Sequence, residues 1–150
     1  MIHIKTFEQS KNNSLELIEA AYDNDLEKVK ELLKDQNIDV NFQDIFGYTA
    51  LIWASRKDHL EIVKELLKQP NINVNIQDDY RDTALIKASF AGHLDTVKEL
   101  LKQPNINWNL KNIEGNDFLM DLRYKKEIIN LYPDGYKKYL LFKKTDEYNL

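Results

Sequence analysis

The decapeptide KELLKQPNIN stands at residues 64–73 and again, unchanged, at 98–107, an offset of 34 residues. A period of this length constrains the fold more tightly than composition can. Each unit must be one supersecondary element that buries its apolar face only against its neighbours. The register extends well beyond the decapeptide. Asp44 falls on Asp78, Thr49-Ala50-Leu51-Ile52 on Thr83-Ala84-Leu85-Ile86, and His59-Leu60 on His93-Leu94. One step back, Leu17, Ala20, Leu26, Val29 and Leu32-Leu33 align with Leu51, Ala54, Leu60, Val63 and Leu66-Leu67. One step forward, Gly115, Leu119 and Met120 align with Arg81, Leu85 and Ile86.

Within a unit the spacing predicts two short helices. Leu51, Ile52, Ala54 and Ser55 form a narrow inward face on the first, and Thr49 is placed to cap it with its hydroxyl. Leu60, Val63, Leu66 and Leu67 recur at helical spacing on the second, with Glu61, Lys64 and Lys68 outside. The link between the helices is Asn24, Asp58 and Gly92 in turn, the residue types that best tolerate a left-handed turn. A column of Ile18, Ile52, Ile86 and Met120 reads as an aliphatic inward stripe.

The pattern D-x-x-G-x-T-A-L-I-x-A, followed by H-L-E-I-V-K-E-L-L and V-N, resembles the ankyrin repeat from residue 14 to about 132. The resemblance implies an all-α solenoid of about four stacked helix-turn-helix units joined by hairpin-like turns. The units are 14–43, 44–77, 78–111 and a degenerate 112–132, between an N-terminal segment at 1–13 and a tail at 133–150. The sequence departs from the family pattern where Thr-Pro-Leu-His becomes Thr49-Ala50-Leu51-Ile52, losing a proline and a buried histidine. Arg81 takes the turn position of Gly47 and Gly115, where a left-handed backbone costs about 1 kcal/mol. His59 and His93 match the family's structural histidine, so their recurrence is assigned to the turn rather than to catalysis, and His3 is placed in a frayed terminus.

In such proteins partners dock on the hairpin tips and the exposed side of each first helix. Carried onto this chain, the tips hold Ile45, Phe46 and Tyr48, then Asp79, Tyr80 and Asp82, then Ile113 and Glu114. The exposed ends of the first helices hold Tyr22, Arg56, Lys57, Phe90 and Tyr124. A further column reads Glu19, Trp53, Lys87 and Asp121; three charged residues mark it as facing water, and Trp53 is expected to face water with Lys87. These columns vary while the core columns repeat, and exposed rings are the side chains that commonly dominate interface energy. The expected working face is therefore a concave aromatic surface centred on Trp53, gripping a folded protein. A self-associating scaffold is the alternative. Trp108, in a column with Val40 and Val74, reads instead as a structural plug beside the irregular last unit.

Composition closes off other classes. With no cysteine, disulfides, thiol catalysis and thiolate metal sites are excluded, and no catalytic constellation, metal or cofactor is expected. From Arg123 onward seven basic and four acidic side chains give +3, too little to argue for nucleic acid against a net charge of −4. No apolar run reaches the roughly 18 residues of a membrane span, and the N-terminus lacks a secretion signal's apolar core. A cytoplasmic monomer is expected, in its own cell or one it is delivered into. The eighteen lysines and fifteen asparagines are read as base-composition bias. In the tail, Asp134-Gly135 reads as a turn and 136–142 as a short amphipathic helix that caps the solenoid or docks a partner.

Overall fold

The computed structural model describes residues 2–120, 125–137 and 139–140, with side chains from residue 8 onward. Its helices are α1 (Ile2–Asp23), α2 (Leu26–Leu32), α3 (Ala50–Arg56), α4 (Leu60–Leu67), α5 (Ala84–Ala91), α6 (Leu94–Leu101) and α7 (Lys125–Leu131). Consecutive helices pair, and the pairs stack: α1, α3 and α5 lie side by side in one layer, α2, α4 and α6 in the other.

Local chemistry sets the helix ends. Thr49 and Thr83 sit in extended backbone and accept the amides of Ile52 and Ile86 through their hydroxyls, each at 3.2 Å. Asp25 caps α2 by accepting the Lys28 amide at 2.9 Å. Asn24, Asp58 and Gly92 each take positive φ and turn the chain between paired helices. The left-handed backbone also persists at Arg81, with φ of 60°.

Between the layers, Leu17, Leu51 and Leu85 repeat as one buried column, Val29, Val63 and Val97 as another, and Leu32, Leu66 and Leu100 as a third. Burying each such side chain is worth about 1.5–3 kcal/mol, and no single helix pair could bury them alone. The expected isoleucine stripe holds at Ile18, Ile52 and Ile86 but fails at Met120, which is 55% exposed. The cause lies two residues earlier. Phe118 stands where Ala50 and Ala84 stand, and its ring turns inward, edge-on to Trp108 at 5.4 Å. In the place of the capping threonines, the Asp117 carboxylate accepts the amide of Leu119, and the Met120 amide donates to the Asp117 backbone carbonyl at 3.2 Å, so the turn closes one residue early. Met120 is carried outward.

The loops after the second helices are stapled to one another. Asn41 donates from Nδ2 to the Asn71 carbonyl at 2.8 Å and accepts the Asn73 amide on Oδ1 at 2.8 Å. Asn75 repeats both bonds with Asn105 and Asn107, again at 2.8 Å. Asn41 and Asn75 are therefore structural, each joining its unit to the next.

At the N-terminal end α1 runs continuously from Ile2, across the boundary expected at 13/14 and through His3, which was expected to fray. Ser10 donates to the Asn37 carbonyl, and Ser14 Oγ accepts the Asp39 amide at 2.9 Å. Asn13 Nδ2 reaches Asp35 at 2.9 Å. The Asn37 backbone amide, then the Asn13 side chain, hold the Asp35 carboxyl below the ordinary carboxylate range against the opposing effect of desolvation.

At the other end residues 133–137 are helical, so Asp134-Gly135 lies within a helix and forms no reverse turn. Gly135 lies against the Trp108 ring so closely that a Cβ there would meet Cζ2 at 2.5 Å. Tyr132 donates to the Lys98 carbonyl at 3.0 Å, and buried Tyr139 donates to Asp117 at 2.8 Å. Trp108 is half-buried between the last loop and these residues.

Candidate functional site: hairpin tips and a ring cluster

Each tip is built on one side-chain oxygen. Asp44 Oδ1 accepts the amides of Phe46 and Tyr48, each at 2.9 Å. Asp78 Oδ1 does the same for Tyr80 and Asp82, and Asn112 Oδ1 for Glu114 and Asn116. Aspartate and asparagine suit this turn because the side chain reaches its own backbone two residues on. Adjacent tips are then joined: the Asp79 amide donates to the Phe46 carbonyl at 3.3 Å and the Ile113 amide to the Tyr80 carbonyl at 3.0 Å. Gln43 Nε2 bridges the Gly47 and Gln77 carbonyls, and Gln77 likewise bridges Arg81 and Lys111. The neighbouring tip approaches Gly47 so closely that a Cβ would meet the Asp79 amide nitrogen at 2.9 Å.

The second oxygen of each aspartate holds the residue nine positions on. Trp53 Nε1 donates to Asp44 Oδ2 at 2.8 Å. The Lys87 ammonium lies 2.9 Å from Asp78 Oδ2 and 2.7 Å from Asp82 Oδ2. Desolvation pushes the Lys87 pKa down, but bonds to Asp78, Asp82 and Tyr48 outweigh it and hold it above the ordinary lysine value. In sequence the fourth unit has Asn112 and Asp121 at the corresponding positions, so a side chain that can donate stands where the other position becomes an acid.

This geometry corrects three expectations. Trp53 does not simply face water: it is half-buried, stacked on Tyr48 at 4.4 Å and met edge-on by Tyr22 at 4.9 Å. Lys87, in the same column, is largely covered because its charge is matched locally. Tyr48 and Asp82, assigned to the exposed tips, are buried at 6% and 7%. They occupy equivalent positions, where the turn points the side chain back onto the first helix. Tyr48 packs under Trp53, and Asp82 pairs with Lys87.

The remaining candidates form two adjoining groups. Arg56 lies over the Trp53 ring at 5.3 Å, Lys57 over Tyr22 at 3.4 Å, and Lys87 between Tyr48 and Tyr80 at 5.1 and 5.6 Å. Rings and cations thus alternate continuously from Tyr22 to Tyr80. Along the tips, Ile45, Phe46, Tyr80 and Ile113 are exposed, Ile45 at 87%, with acidic Asp79 and Glu114 among them. Phe90 shares a column with Tyr22 and Arg56 and is exposed, yet makes no ring contact among the described residues. Tyr124 lies outside the described residues.

Sequence reasoning missed Asp44 and Asp78 as organisers of both tip and cluster, although their recurrence at the 34-residue offset was visible. The histidines have positive structural assignments. A His59 ring nitrogen lies 2.8 Å from the Ala21 carbonyl and a His93 ring nitrogen 3.0 Å from the Arg56 carbonyl, tying each helix pair to the preceding one. Among the described residues no group of histidines and carboxylates is placed to hold a metal ion, and no helix is long and apolar enough to cross a membrane.

Stacked helix pairs, stapled loops and hairpin tips with variable side chains define a repeat scaffold that presents a surface. The family model of ankyrin repeats, in three copies, matches residues 17–112, and the chain belongs to the ankyrin-repeat family. Repeats of this family generally mediate protein–protein interaction. No curated protein sequence matches the chain.

Proposed function

We propose that the chain is a non-catalytic module that binds a folded protein across its hairpin tips and the concave side of its first helices. The observation that carries this reading is the row Ile45, Phe46, Tyr80 and Ile113, exposed on tips locked by aspartate or asparagine turns and tip-to-tip backbone bonds. Large apolar side chains held rigidly in water favour association, because little ordering entropy is lost when a partner covers them. The ring cluster behind the row serves as its support, with Tyr22, Arg56 and Lys57 as the accessible edge. By stoichiometric masking of a partner, such a module acts as an inhibitor, neutraliser or effector.

The test is crosslinking in lysate with three proteins: the native chain, the triple variant Ile45→Ala, Phe46→Ala, Tyr80→Ala, and a control carrying Glu61→Ala and Lys68→Ala on the outer helix. Specific partners should be lost from the triple variant and kept by the control. Retention by the triple variant, with its thermal stability unchanged, would overturn the reading.

A further inference from the structure

The loop staples end differently at the two ends of the solenoid. Each internal loop offers a carbonyl and an amide two residues apart, Asn71 and Asn73 or Asn105 and Asn107, and an asparagine of the preceding unit takes both. In the first unit the equivalent groups of Asn37 and Asp39 are taken by Ser10 and Ser14 of α1. The N-terminal end is closed. Asn109 occupies the next register position after Asn41 and Asn75, and its Oδ1 is buried without a hydrogen-bond partner. A buried unpaired amide oxygen is costly, and in native proteins it demands an explanation.

Asn109 lines a groove of about 620 Å³ between the last loop and the tail. Trp108 and the loop residues 103–107 line one side of it, and Leu131, Tyr132, Gly135 and Tyr139 are among the residues that line the other. By register, a further unit's loop would meet Asn109 here. We propose that this groove docks an extended loop of a partner protein, a segment in which a carbonyl and an amide two residues apart flank an aliphatic side chain. The chain shows the recognition twice internally, since Ile72 and Ile106 are the half-buried side chains between the groups that Asn41 and Asn75 hold. A second copy of the chain fits poorly as occupant. Its corresponding groups at 37 and 39, 71 and 73, and 105 and 107 are already bonded. The site is separate from the tips, so either proposal can fail without the other.

The experiment uses the full chain, ¹⁵N-labelled, titrated with a capped peptide of sequence QPNINVN, the loop sequence of residues 69–75. Saturable shifts of the Trp108 indole and Asn109 side-chain signals are expected. Asn109→Ala should weaken binding about fivefold or more, as loss of one or two hydrogen bonds implies. An N-methyl group on the peptide's second asparagine after proline should do the same, which keeps the test independent of how the protein variant folds. Three outcomes overturn the proposal: no shift with peptide at about 5 mM, shifts confined to the tips around Phe46 and Tyr80, or equal affinity for the methylated peptide. Sedimentation runs beside it. Concentration-dependent association abolished by Asn109→Ala would assign the groove to a second copy and refute the partner loop.

Discussion

Replacing Trp53 by alanine separates the core role of the ring cluster from the binding role proposed for the tips. The indole makes two ring contacts, at 4.4 Å with Tyr48 and 4.9 Å with Tyr22, each worth about 0.5–1.5 kcal/mol beyond area burial. Its N–H bond to a carboxylate oxygen adds about 1.5–3 kcal/mol. Full truncation of a buried tryptophan costs about 3–5 kcal/mol, and Trp53 is only half-buried. The contributions overlap and do not simply add, which leaves about 3 kcal/mol for Trp53→Ala. In a chain of 150 residues each kcal/mol moves the melting temperature by about 2–4 °C, so a fall of about 6–12 °C is expected. Trp53→Phe keeps a ring in the stack and loses the N–H bond, for about 1.5–3 kcal/mol. Tyr80→Ala and Phe46→Ala, on exposed tips, should stay within about 0.5 kcal/mol of the native chain. Thermal and urea unfolding followed by circular dichroism read all four variants. A Trp53→Ala protein melting within about 1 °C of the native chain, or a Tyr80→Ala protein falling as far as it, would refute the assignment.

Lys87→Met leaves Asp78 and Asp82 buried together without their cation, and should cost about 3 kcal/mol at neutral pH by urea titration. In the native chain the Lys87 pKa is raised, so its contribution is whole below the ordinary value of 10.5 and is lost only as pH rises beyond it. Arg81→Gly relieves the left-handed backbone at φ of 60° and should raise stability by up to about 1 kcal/mol, readable as a higher urea midpoint. Asn75→Ala breaks two bonds between units and should cost about 1–3 kcal/mol in the same titration. Lys87→Asp alone should be more damaging than Lys87→Met, and adding Asp78→Asn with Asp82→Asn, the trio of the fourth unit, should recover most of the loss.

The 34-residue register made the helix pairs, the threonine caps and the left-handed turns legible, because each follows from a residue acting on its immediate neighbours. Orientation in the variable columns was harder. A column containing Glu19, Lys87 and Asp121 reads as solvated, yet Lys87 is covered, since Asp78 and Asp82 compensate its charge where it sits. That compensation joins residues nine and five positions apart across a turn, and hydrophobic periodicity carries no signal of it. Tyr48 and Asp82 were placed outward because tips are exposed on average, whereas the aspartate turn fixes each position separately. The asparagines were read as composition when their spacing of 34, at Asn41, Asn75 and Asn109, carried the information. In the last unit, Phe118 displaced the pattern: a ring cannot occupy an alanine's place without moving the chain, and Met120 left the core with that movement.

The division of labour within each aspartate explains how such a surface changes without loss of the fold. Oδ1 is committed to two backbone amides, and those bonds are indifferent to which side chains the tip carries. Oδ2 asks only for a donor from the first helix, and an indole N–H serves Asp44 as an ammonium serves Asp78. The two donors have little else in common. One builds an aromatic stack with Tyr22 and Tyr48, the other a charged link between Tyr48 and Tyr80. The side chain in this column can therefore change under a single chemical constraint, complementarity of donor and acceptor, while the apolar columns beneath stay fixed by packing. In sequence the fourth unit carries Asn112 and Asp121 at the corresponding positions, the reverse assignment of donor and acceptor. A surface made this way is variable in charge and shape yet rigid, because the bonds that hold it are those that make the turn.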